Sequence, residues 1–585
     1  MDNHQPLKHV AMSFSGGGFR AAAFSLGCLS YLNKCGLLSE VSFMASASGG
    51  TLASLTYAHW LYQDKPFEDY YKHMKGFLNG ENALKAAFDI LEDDIAWEDT
   101  PEKGRNLINA FAKVYHKDLF EGGTWNNFFE PSFIKHIKQV CANSTEFKNG
   151  LPFRFQNVDN HQRTGIIGNY ALYLKEKKSF NTLRKIRLGD ITAASSCFPL
   201  GFEPIMYPED FTYVGTGKTS LTKDELKEIV KSQEAYKQIA DGITLNEKSG
   251  IRLQEKRGIG LETELTEELE KNERHILNEN GKPTAFGLMD GGITDNQAIQ
   301  SSILADNRKN GKFGTLIICD VSSPFMDAYS LPKVEKTLLK GFSLRFWGIL
   351  YILIIIGLSV GFYYTNNMAM LATAIIMGFI PLALGIIVYR QLSEGTAKNN
   401  TWTKMIRKYI GYFFTIPFAS FSQMIRARIK STGIMVADVF LKRIRSMWYD
   451  KLYESKDWEN RRVAVMIYEL SKAHRKVAEA RINRVKGLKD VVTELDLSPD
   501  SKIEDVAQIA STVGTTLWFD ENDMQREALQ CLIATGQFTM CYNLIMYICE
   551  LEILKRELVT QDIKELRDRL LVDWKLFQKE PKFMV

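Results

Sequence analysis

The chain has 585 residues, more than one ordinary hydrophobic core encloses, so two or more structural units are expected. With 45% hydrophobic and 24% charged residues it has the average composition of a globular protein. A net charge of +4, without a basic stripe interleaved with aromatics, gives nucleic-acid binding no support.

In chain order, Met1 to Val10 is polar and lacks the apolar stretch of a signal peptide, so the bulk of the chain is expected in the cytoplasm. The eight cysteines include no C-x-x-C pair and sit mostly in apolar runs, which fits buried free thiols in a reducing compartment. His9 to Phe14 predicts a strand, Phe19 to about Cys35 a helix, Glu40 to Ala45 a second strand and Thr51 to about Tyr62 a second helix. Strand–turn–helix repeated twice predicts parallel strands with crossover helices, an α/β sheet. Phe67 to Lys148 reads as mixed and mostly helical, Pro152 to Asn169 as two strands around a turn, and Gly314 to Val321 as a buried strand. Between them, a charged stretch (about 207–282) reads as a solvated insertion.

Phe346 to Tyr364 and Met368 to Tyr389 are apolar segments of about the length that spans a bilayer, with no charge between Arg345 and Arg390 and with aromatics at their ends. They predict a transmembrane hairpin at 346–389. Lysines and arginines flank it on both sides, so the positive-inside rule places both large halves in the cytoplasm. Residues 401–430 read as a basic, aromatic segment suited to an anionic lipid surface or as a buried linker. Residues 431–500 read as a charged helical region, with Arg461 to Lys489 suited to pairing with another helix. The remainder, 503–585, reads as helical core elements.

Two motifs carry the chemistry. Ser15-Gly16-Gly17-Gly18-Phe19-Arg20 lies between a strand and a helix, where unobstructed N–H groups suit a developing oxyanion. A phosphate loop is the alternative, but the lysine of that motif is missing. Ser46-Ala47-Ser48-Gly49-Gly50 is the nucleophile-elbow pattern G-x-S-x-G with serine in the first position. The elbow register favours Ser48 over Ser46, and the Gly49 N–H is placed to assist the oxyanion. Asp290, in Met289-Asp290-Gly291-Gly292, is the candidate acid. The only histidine after it, His474, lies in a charged run beyond the hairpin and makes a poor triad member. A carboxylate acting directly on Ser48 needs burial or hydrogen bonding to tune it.

These three motifs, in this order, resemble those of the patatin-like phospholipases, and Gly16 to Arg20 is equally similar to the related cytosolic phospholipase A family. Ala193-Ala194-Ser195-Ser196-Cys197-Phe198-Pro199 resembles an element that packs beside the site in that family. The similarity covers roughly Leu7 to Pro324 and resumes near Ile503. The hairpin is then expected inside a catalytic domain whose bulk is residues 1–330. The resemblance implies a three-layer α/β/α fold and a Ser48–Asp290 dyad without histidine. It implies an oxyanion site built from Gly16, Gly17, Gly18 and Gly49, supported by Arg20, Gly50, Gly291 and Gly292. It implies hydrolysis of fatty acyl esters of membrane lipids with neither metal nor cofactor. Two rival readings stay open: a membrane-bound sensing protein whose C-terminal helices bind a partner or a second copy, and an acyltransferase or thioesterase using the same acyl-enzyme.

Overall fold

The computed structural model describes residues 5–101, 103–129, 135–147, 150–157, 166–168, 181–199, 201–214, 224–225, 229, 286–308, 312–322, 329–333, 337, 339–379, 390 and 415–585. Most of the charged stretch at 207–282, residues 380–389 of the expected hairpin and the first half of 401–430 lie outside these residues. Backbone contacts divide the chain into two compact units, one of Met1–Phe325 with Val439–Val585 and one of Met326–Asp438.

The first unit is built on a mixed sheet. Its order is β5 (Ile166–Gly168), β4 (Leu151–Gln156), β3 (Gln139–Glu146), β2 (Val41–Ala47), β1 (Val10–Phe14), β8 (Thr315–Asp320) and β9 (Arg462–Met466). The short β6 (Ile205–Tyr207) pairs β7 (Phe286–Asp290), which in turn pairs β3. The centre, β3-β2-β1-β8-β9, is parallel. Alternation across the pleat loads both faces. Val10, Met12, Phe14, Met44 and Ile317 enter one apolar layer, whereas Ala11, Phe43, Ala45, Leu316 and Ile318 enter the other. With helices covering both faces, this is a three-layer α/β/α domain.

Helix α1 (Gly18–Cys35) follows β1, and α2 (Gly49–Tyr62) follows β2. Helix α3 (Leu188–Ser196) and the single turn α4 (Gly292–Asp295) flank the far end of β3. In the second unit lie α5 (Leu344–Thr365) and α6 (Phe418–Ile434). Helix α7 (Leu441–Glu454) is the first complete helix after re-entry into the first unit, and α8 (Ala528–Leu554) and α9 (Gln561–Lys579) close the chain. Helix α8 lies against α1 so closely that a Cβ on Gly27 would stand 2.1 Å from the Ile533 carbonyl oxygen and one on Gly536 2.3 Å from that of Phe24. Two facing glycines allow this approach.

The early strands and helices fall where the sequence predicts them, though β2 runs on to Ala47 and α2 begins at Gly49. Two segments differ. β3 is a central strand inside the stretch read as mostly helical. β9 is a strand of the sheet inside Arg461 to Lys489, read as a charged helix; the buried Arg461 that precedes it bonds Asp306 and the Phe313 carbonyl. All eight cysteines are free, and all but Cys35 are buried.

Two described helices are long and apolar enough to cross a membrane by length and composition. The apolar stretch of α8 is wholly buried and serves as a core helix. That of α5 has no buried residue. A shorter apolar helix, Met368–Phe379, returns beside α5, with Tyr351 OH donating to the Met377 carbonyl at 2.7 Å.

Candidate active site

The expected nucleophile and base come together through β3. β2 pairs with the first half of β3 in parallel and ends at the Ala47–Asn143 register. β7 pairs antiparallel with the second half of β3 and ends at the next register, Asp290–Ser144. Because β4 occupies the other edge of β3 from Cys141 to Glu146, β2 and β7 share one edge and run toward each other. Their C-terminal ends meet head-on, which sets Ser48 opposite Asp290.

Ser48 has φ 50 and ψ −125, a backbone conformation costly for a residue with a side chain and the mark of a strained strand-to-helix turn. Its N–H donates to both the carbonyl oxygen and the hydroxyl oxygen of Ser195, each at 3.0 Å. The Ser195 carbonyl also accepts the Gly291 N–H at 3.1 Å, so one residue of α3 ties the two loops together. Ser195 Oγ in turn donates to the Asn143 carbonyl at 2.6 Å. Ser46 points elsewhere: it is buried, and its hydroxyl accepts from Thr51 Oγ1.

Asp290 is 3% exposed and Ser48 6%. The Gly292 N–H donates to Asp290 Oδ1 at 2.6 Å, while Oδ2 is buried without a hydrogen-bond partner. Burial pushes the carboxyl up to about 6, and the Ser48 hydroxyl and Gly292 N–H draw it some of the way back. The serine hydroxyl thus lies near enough to the carboxylate to favour its charged form, without a well-formed hydrogen bond. Among the described residues no histidine bonds to either; His474 is occupied with Ser471 at 2.9 Å.

The glycine loop packs directly on the elbow. A Cβ on Gly49 would stand 1.9 Å from the Gly18 carbonyl oxygen, and one on Gly16 would stand 3.1 Å from Ser48 Cβ. The N–H groups of Gly17, Gly18 and Gly49 have no acceptor among the described residues. Gly16 differs from the expectation: its N–H donates to the Asn296 carbonyl at 2.9 Å and is not available to an oxyanion. Gly50 backs onto Phe14, and Gly291 onto the Asn143 carbonyl, where a Cβ would intrude at 2.8 and 2.3 Å. Arg20 donates to the Val513 carbonyl at 2.9 Å and forms no ion pair among the described residues; burial lowers its guanidinium to about 10.

Several supporting residues escaped the sequence reading. Ser144 Oγ donates to the Met289 and Ala194 carbonyls, Thr145 Oγ1 to the Asp290 carbonyl at 2.8 Å, and Asn143 Nδ2 to Asp295. These polar side chains deprive β3 of the apolar alternation that marks a strand, so it is hidden in a stretch that reads as mostly helical. Asn296 lies among three motifs: its carbonyl holds Gly16, its Nδ2 donates to Ser322 at 2.7 Å, and its Oδ1 lies against Gly16 and Gly292. The described residues hold no group of three or more His, Cys, Asp or Glu placed to ligate a metal ion.

Fold and site define a class: a three-layer α/β/α domain with a serine on a strained strand–helix turn beside a glycine-rich loop and a buried carboxylate. A match to the model of the patatin-like phospholipase family covers residues 12–220. It ends before Asp290. No curated protein matches the chain. Among solved structures, human GIVD cytosolic phospholipase A2 is similar at 14% identity, over 55% of this chain and 46% of its own, with a TM-score of 0.29. The chain therefore spans less than half of that protein.

Proposed function

We propose that the protein is a membrane-anchored serine hydrolase that cleaves fatty acyl esters of lipids through Ser48 and Asp290. The head-on meeting of β2 and β7, which delivers a strained serine to a buried carboxylate, carries this reading. Asp290 takes the Ser48 proton as Oγ attacks the ester carbonyl. The negative charge on the tetrahedral oxygen is held by the N–H groups of Gly17, Gly18 and Gly49 at the start of α1 and α2. The alcohol or lysolipid leaves with a proton returned by Asp290. Water, deprotonated by the same carboxylate, then releases the fatty acid. Arg20, beside the loop, supports its end through Val513.

Anchoring rests on the second unit. Helix α5 has 22 residues, about 33 Å at 1.5 Å per residue, enough to cross the hydrocarbon core of a bilayer. Ile349, Ile352, Leu353, Ile354 and Ile356 on it are all exposed, an apolar surface that water does not tolerate over such length. Residues 326–438 contain twelve Lys or Arg and four Asp or Glu, net +8 in a chain of net +4, so the rest of the chain is net negative. That asymmetry suits flanks held at the cytoplasmic face.

Fluorophosphonate labelling of the detergent-solubilised protein, read by mass spectrometry, tests the chemistry. Label on Ser48 that disappears in Ser48→Ala, together with release of fatty acid from lipid esters, is the expected result. Turnover retained in Ser48→Ala refutes it.

A further inference from the structure

The chain leaves the first unit shortly after β8 and re-enters it at α7, and both passages are bonded to the site. At the exit, the Val321 N–H donates to Ser15 Oγ at 2.9 Å, the Ser15 N–H donates to the Cys319 carbonyl at 2.9 Å, and Ser322 Oγ accepts from Asn296. The end of β8 is therefore the footing of the glycine loop. Asp320, its last residue, is fully buried. At the re-entry, Arg445 Nε and Tyr449 OH of α7 both donate to Asp320 Oδ2, at 2.8 and 3.1 Å, and Arg445 Nη2 donates to Tyr468 OH at 3.1 Å. One helical turn along from Arg445, Trp448 Nε1 donates to the Thr294 carbonyl at 2.9 Å. Thr294 belongs to α4, the turn whose first N–H holds Asp290 Oδ1. Its hydroxyl also meets Thr145 Oγ1 at 3.0 Å, and that hydroxyl donates to the Asp290 carbonyl.

We propose that α7 is a positioning arm for catalysis: Trp448 fixes the turn that aims Asp290, and Tyr449 with Arg445 fixes the end of β8 that seats the glycine loop. The inference rests on the Ser48–Asp290 reading and goes beyond it, because the helix that follows the inserted apolar unit then grips both halves of the site. None of the three side chains touches the reacting atoms. They act through α4 and β8, which makes them positioning residues. The indole N–H is the informative atom, since phenylalanine keeps an aromatic ring and loses only the bond to Thr294 and some of the ring's bulk. With α4 loosened, the Gly292 N–H holds Asp290 less firmly, so the carboxylate is harder to ionise. Among the described residues the buried Cys197 thiol is the titratable neighbour that senses Asp290, and the Ser48 hydroxyl favours its charged form; both are unchanged by this substitution.

The test compares the full-length protein in detergent micelles containing a lipid ester with Trp448→Phe, Tyr449→Phe and Met447→Ala, the last an exposed neighbour on α7 as control. In Trp448→Phe, kcat should fall about tenfold to a hundredfold, the scale of a displaced catalytic group, with KM within about twofold and the acid limb of the pH–rate profile moved upward. In Tyr449→Phe, kcat should fall with the acid limb unmoved, because that bond serves β8 and not the base. Met447→Ala should match the wild type. The inference is overturned if a folded Trp448→Phe keeps kcat within twofold of the wild type, or if its loss lies in KM. Should Trp448→Phe fail to fold, Tyr449→Phe decides: wild-type kcat there overturns the arm. A wild type that takes no fluorophosphonate label sinks the serine reading itself, and the arm with it, whereas a labelled wild type with unaffected variants sinks only the arm.

Discussion

Asp290→Asn is expected to abolish turnover and at the same time to stabilise the fold. The carboxyl is 3% exposed, and burial raises it from 3.8 to about 6. A rise of that size means that the folded protein holds the charged form at a cost of about 3 kcal/mol relative to the unfolded chain. The sign follows from linkage. An acid whose folded value lies above its unfolded value is free of this penalty below about pH 4. The penalty grows as pH climbs from 4 to 6 and is complete above that range. Asparagine has the same shape, keeps an oxygen for the Gly292 N–H and carries no charge, so it escapes the penalty. The stability gap between Asp290→Asn and the wild type should be near zero at pH 4 and approach about 3 kcal/mol at pH 8 in favour of the variant. Denaturant unfolding in detergent across pH, with lipid-ester hydrolysis followed in parallel, measures both halves. Asp295 is also buried and raised to about 6, but it is present in both proteins and cancels in the difference. A variant less stable than the wild type at pH 8, or one that still turns over, refutes the reasoning.

The same carboxylate sets the acid limb of the wild-type pH–rate profile: kcat/KM should fall tenfold per pH unit below about pH 6 as Asp290 protonates, and a limb near pH 4 argues against a buried base. Gly49→Ala should destroy the elbow, because its Cβ lands on the Gly18 carbonyl oxygen, whereas Gly36→Ala, open to solvent at the end of α1 with φ 82, should cost about 1 kcal/mol and leave the specific activity unchanged. Thermal midpoints and labelling separate the two. Ile354→Arg, in the middle of α5, should release protein into alkaline-carbonate extracts, since arginine at the centre of a span costs about 2.5–3.5 kcal/mol in insertion. Ile354 is exposed, so on a helix bathed in water the same change should pass unnoticed.

Much of this protein is legible along the chain because local backbone demands write themselves into residue choice. A glycine run between a strand and a helix, a small-residue elbow and an uncharged pair of long apolar segments each impose composition within a few residues. They gave β1, α1, β2 and α2, the identities of Ser48 and Asp290 as candidates, and the apolar exterior of α5. Tertiary structure alone decided what these pieces do to one another. β3 is a central strand whose second half is polar, because Asn143, Ser144 and Thr145 are satisfied by partners far along the chain, and a buried polar run has no apolar period to reveal it. β9 hides in a charged run for a related reason: the arginine that leads into it is neutralised by Asp306, far earlier in the chain. Gly16 has the right residue type for an oxyanion donor, yet its N–H is claimed by Asn296. The meeting of Ser48 and Asp290 follows from two strands of opposite direction sharing one edge of β3. That is a property of register, fixed by hydrogen bonds between distant segments, and no stretch of sequence contains it.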